Sequence, residues 1–213
     1  MKLEYAKELL KSVIAISEEY EELFKDIKIE YGECFSYHTV DNIIYIREEK
    51  PDDIITDHRE QFILDYVNKA YDSCFFDDEH DEFAFLHELG HAYYNLTTTD
   101  KEYDTMINYK KKEEMGAMMQ EFEPYIAEHL IEANSIYKKM INICEKKLYK
   151  NKFCRKHYYD KKLTKLKEQK DRHMNCCYMA FDLIDERYRE YTDESFADKW
   201  ACEQHYEIVG QWI

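Results

Sequence analysis

Phe83-Ala84-Phe85-Leu86-His87-Glu88-Leu89-Gly90-His91-Ala92-Tyr93-Tyr94 is an apolar run of helical character that carries a His-Glu-x-x-His pentapeptide. On a helix, residues four apart share a face. His87 and His91 therefore project together, the spacing at which two imidazoles share one Zn²⁺. Glu88 lies about 100° round the same turn, within reach of a water on that ion without being a ligand. Two ligands and a general base on one turn is the layout that zinc-assisted hydrolysis of a peptide bond requires. A bare pattern of this kind also arises by chance, so its surroundings decide its weight. A core helix is carrying the polar groups, and Gly90 is one of only 4 glycines in 213 residues. In a helix interior a glycine costs about 1 kcal/mol relative to alanine, which is reasonable where another backbone packs close.

Catalytic zinc needs a third protein ligand, with the fourth position left to water. A histidine three turns on is ruled out, because Tyr94 and Thr97 stand where the extended motif needs Gly and His, and no histidine occurs between 92 and 128. Glutamate remains, at two competing positions. Glu194 lies in Glu194-Ser-Phe-Ala-Asp-Lys-Trp-Ala201, just after a helix-starting Thr192-Asp193. There Asp198 falls four residues on and is placed to hold a ligating histidine from behind. Ala197 and Ala201 are small enough to let this helix approach Gly90. Glu114, beside Glu113, is the alternative third ligand; Met118 occupies the position where a supporting carboxylate would stand.

Phe-Leu-His-Glu-Leu-Gly-His followed by Glu-x-x-Ala-Asp-x-x-Ala resembles the soluble glutamate zincins, the minigluzincin and ImmA/IrrE-type metallopeptidases. The resemblance covers about residues 27–96 and 190–208. It implies an α+β, mostly α-helical fold with a zincin-like core of small antiparallel sheet, HExxH helix and glutamate helix, plus a large helical insertion. Residues 1–96 would form the N-terminal subdomain, 97–190 the insertion, and 191–213 the glutamate helix that completes the core. It also implies a zinc metallopeptidase acting on a protein or peptide substrate, with Zn²⁺ on His87, His91 and Glu194, Glu88 as catalytic base and Asp198 in support. Members of the ImmA/IrrE-type group are often linked to DNA-binding repressors. A regulatory protein partner is therefore also implied, and the alternative is a protein-binding or regulatory module that keeps the fold without the activity.

The rest of the sequence fits this frame. Periodic apolar residues from Leu3 to Phe24 predict one amphipathic helix over 3–25. Alternating runs at 27–31, 34–40 and 43–46 predict strands, with Asp41-Asn42 as a hairpin turn. A helix follows over about 56–71, then an edge-strand candidate at 73–76, against which an extended substrate would lie. Pro124 suits the first turn of a helix through about 150, and another helical region spans about 157–190. The formal net charge is −16, which disfavours nucleic acid and anionic membrane as partners. The exception is 138–172, with 14 Lys/Arg against 4 Asp/Glu and interleaved aromatics at Tyr149, Phe153, Tyr158 and Tyr159. A solvated helical face is the ordinary meaning of such a run, and nucleic-acid binding through it the less favoured one. Seven cysteines without CxxC, no signal-peptide core and no apolar run of about 20 residues predict a reduced, cytoplasmic protein without a membrane span.

Overall fold

The computed structural model describes the backbone of residues 1–98, 101–150 and 156–210, and the side chains of these except 101–111, 113, 118 and 210. The fold is α+β and mostly helical, with seven helices and three strands among the described residues. Phe153 lies outside the described residues.

The first apolar stripe forms two helices rather than one, α1 (Leu3–Ile14) and α2 (Glu18–Phe24). Ser17 causes the break: its backbone is extended and its hydroxyl accepts from Glu19 N at 3.2 Å. Three glutamates in the next turn favour a fresh helix N-terminus.

The sheet contains β1 (Lys28–Gly32), β2 (Ser36–His38) and β3 (Ile43–Arg47) in the order β1-β3-β2. It is mixed, which corrects the antiparallel expectation. The hairpin at Asp41-Asn42 forms, with Asn42 in the left-handed region at φ 54° and Tyr37 opposite Ile44. Glu33–Phe35, however, carries the chain beyond the place that β3 then fills, so β3 runs parallel to β1. The central strand is the most apolar, with Ile43, Ile44 and Ile46 buried.

Asp53 caps α3 (Ile54–Tyr71) by accepting from Ile55 N and Thr56 N at 2.9 Å each. Residues 73–76 form no strand, a second correction. The Asn68 side chain claims the backbone there, accepting from Phe75 N at 3.0 Å and donating to Phe75 O at 2.8 Å. Phe75 is thereby turned into the core and cannot present a sheet edge.

The motif run lies on α4 (His80–Thr97), whose buried residues run from Phe83 to Ala92. Then come α5 (Lys101–Lys150), α6 (Lys156–Arg189) and α7 (Thr192–Gly210). α5 begins well before Pro124 and passes through it, contrary to the expected start there. Pro124 is exposed, so its missing N–H frees a carbonyl that solvent can satisfy.

Two compact units result: residues 1–112 with 185–213, and residues 113–184. The expected boundaries, 96/97 and 190/191, fall within these helices or beside them. In the first unit α4 packs most closely on α7, around a core that includes Phe24, Ile44, Phe85, Leu89 and Trp200. The last turn of α6 belongs to this unit, where Arg59 of α3 grips the buried Asp185 through Nε at 2.9 Å and Nη2 at 2.5 Å. In the second unit Leu130, Ala133 and Cys144 of α5 and Leu166, Met174 and Phe181 of α6 are buried. Ile136 and Met140 of α5 are exposed, while the neighbouring Tyr137 and Ile141 are half-buried. No helix among the described residues is long and apolar enough to cross a membrane, and the six described cysteines are free thiols.

Candidate metal centre

α4 and α7 meet at Gly90. A Cβ added there would lie 2.9 Å from both Cα and O of Ala197, so the two backbones touch where a side chain would hold them apart. This close approach brings Glu194, one turn before Ala197, up to the two histidines. His87 Nε2 lies 3.0 Å from His91 Nε2 and 3.2 Å from Glu194 Oε2, and His91 Nε2 lies 3.4 Å from Glu194 Oε2. A tetrahedral zinc with bonds of about 2.0–2.1 Å sets its ligand atoms about 3.3 Å apart. The triangle already has nearly those edges, and its donors, two imidazoles and a carboxylate, are those zinc takes with an open fourth position.

The support behind the triangle is ionic. Asp198 is fully buried and its Oδ1 faces His87 Nδ1 at 2.8 Å. The approach is off the N–H axis, and Asp198 Oδ2 has no hydrogen-bond partner, so the contact acts through charge more than through an aligned hydrogen bond. It keeps the proton on Nδ1 and leaves Nε2 as the donor atom. Arg189, at the end of α6, pairs with the same Asp198 oxygen and lies over the Phe83 ring.

Burial alone would push the His87 imidazole down, but Asp198 and Glu194 outweigh it and hold its pKa up at about 10. Burial would raise both carboxylates. Instead the His87 and His91 imidazoles hold Glu194 well below the usual range, and His87 with Arg189 does the same for Asp198. Carboxylates this deep hold positive charge among the three ligand atoms, and a divalent cation supplies it as well as a proton does.

Glu88 is half-buried and lines a cleft of about 1540 Å³ together with His87, His91 and Glu194. Ser36 and Tyr37 of the edge strand β2 line the same cleft. Glu114 is exposed, lies in the second unit and joins no ligand cluster among the described residues.

Three cleft residues lack any mark in the sequence pattern. Lys112 Nζ lies 2.7 Å from Glu194 Oε1 and 2.5 Å from Asp193 Oδ2. Burial would lower this ammonium's pKa, yet Glu194 and Asp193 raise it. Burial, together with the nearby Glu194 carboxylate, pushes the Tyr188 phenol far above its ordinary value, so it stays protonated. Arg189 is the third. Tyr188 and Arg189 sit one helix break upstream of Glu194, and with 20 tyrosines in the chain no single one stands out. No family model, curated protein or solved structure matches the chain.

Proposed function

We propose that the chain is a zinc-dependent metallopeptidase acting on a protein or peptide substrate, its core a zincin-like pairing of α4 with α7. The observation that carries this reading is the His87–His91–Glu194 triangle, with edges of 3.0, 3.2 and 3.4 Å, opening on a cleft beside Glu88.

His87, His91 and Glu194 would hold the ion, and Asp198, itself held by Arg189, fixes the His87 ring. When bound, zinc supplies Lewis-acid polarisation of the substrate carbonyl and a water acidified towards neutrality. Glu88 would serve as the general base for the attacking water and return its proton to the departing amine as the C–N bond breaks. Tyr188, protonated throughout the physiological range, donates to the oxygen on which negative charge develops. An extended substrate pairs with β2, the sheet edge that lines the cleft, in place of the expected 73–76 segment.

The test combines metal content with turnover of denatured protein substrates. Wild type is expected to purify with zinc or to take it up, and His87→Ala and Glu194→Ala each to bind one equivalent fewer than wild type. Glu88→Gln should keep zinc and abolish cleavage. A wild type that takes no zinc defeats the reading; zinc without proteolysis would favour a binding module of the same fold.

A further inference from the structure

The second unit gathers another set of donors, independent of the first. His173 and Cys177 are four residues apart on α6 and share a face, and His129 of α5 meets them. His129 Nε2 lies 2.9 Å from His173 Nε2, and the two nitrogens and Cys177 Sγ all lie within 4.8 Å of one another. We propose that His129, His173 and Cys177 form a second metal site, specific for a thiophilic ion such as Zn²⁺, that staples α5 to α6.

Three observations carry this. Each imidazole presents Nε2 to the other, a pairing in which a single N–H···N bond uses one proton and leaves the adjacent thiol unexplained. A metal uses all three donors together, and two nitrogens with a sulfur are a set that zinc favours over magnesium or calcium. The burial is graded as a site open on one side requires: Cys177 is buried, His173 half-buried and His129 exposed. Finally, two surface clefts of about 760 and 750 Å³ meet at His129, Glu132, His173 and Cys176, so solvent reaches the donors and can supply a fourth ligand. Residues 129 and 173 belong to different helices of the second unit, and an ion held by both ties α5 to α6.

Cobalt(II) added to the full-length, reduced protein tests the site separately from the first, because His87, His91 and Glu194 include no sulfur. The expected result is a near-ultraviolet thiolate-to-cobalt charge-transfer band. It should persist in the His91→Ala/Glu194→Gln double variant and vanish in Cys177→Ala. His129→Asn, a change at an exposed position, should keep the helical circular dichroism while weakening cobalt binding on the order of tenfold or more. Absence of the band at saturating cobalt overturns the proposal. So does a band that survives Cys177→Ala, or cobalt affinity unaltered by His129→Asn. The peptidase reading is unaffected by any of these outcomes.

Discussion

His80 begins α4 with its side chain mostly buried, its Nδ1 3.7 Å from Glu60 Oε1. Burial depresses its pKa from 6.5 to about 4; the Arg47 guanidinium adds to this and Glu60 opposes it. The unfolded chain then binds more protons than the folded one between these two values. His80 thus contributes stability that is complete above pH 6.5 and is lost as the pH falls towards 4. The loss is on the order of 3 kcal/mol. Denaturant unfolding across this window should show a clearly shallower pH slope in His80→Gln than in wild type; identical slopes would contradict it. Among the site residues, Asp198 was legible because it shares a helix face with Glu194 at a fixed spacing. Lys112 and Tyr188 were not, since one comes from within α5 and the other from the end of α6, and tertiary contacts rather than local spacing bring them to the cleft.

Gly90 matters for how two elements cross. In an isolated helix its replacement by alanine would stabilise by about 1 kcal/mol. Here the new Cβ meets Ala197 Cα and O at 2.9 Å and Ala197 Cβ at 3.2 Å, and backbone atoms cannot swing aside as a flexible side chain can. Gly90→Ala is therefore expected to destabilise by about 1–3 kcal/mol, seen as a lower urea midpoint. An unchanged or higher midpoint would show that α4 and α7 are not in backbone contact. The small residues on both helices made this crossing readable from sequence. Where local polar groups intervene, periodicity failed: Ser17 restarts a helix inside a continuous apolar stripe, and Asn68 captures the backbone of residues 73–76. Strand positions followed from alternation, but the parallel pairing of β1 with β3 did not, because alternation is blind to which neighbour a strand chooses.

At the scale of the whole molecule, Glu194 is separated from the histidine pair by α5 and α6, and the described residues of the second unit all belong to those helices. Helical periodicity made the long intervening helices readable. It could not place the unit edges at 112/113 and 184/185, because both fall inside continuous helices where the sequence pattern does not change. A metal that binds only when α4 and α7 are together stabilises the folded chain by mass action. At free zinc about 100-fold above its dissociation constant the gain is about 3 kcal/mol. Thermal unfolding with and without chelator should show it, with the shift intact in Glu88→Gln and reduced in Glu194→Gln; equal shifts in the two variants would argue against Glu194 as a ligand. A ribosome finishes the two-histidine helix about a hundred residues before it reaches Glu194, an interval of about 5–20 s at ordinary elongation rates. Throughout that time the nascent chain holds a two-donor half-site whose partner helix does not yet exist. On the proposed reading the third donor arrives only with α7, and a chain broken off anywhere in α6 lacks it.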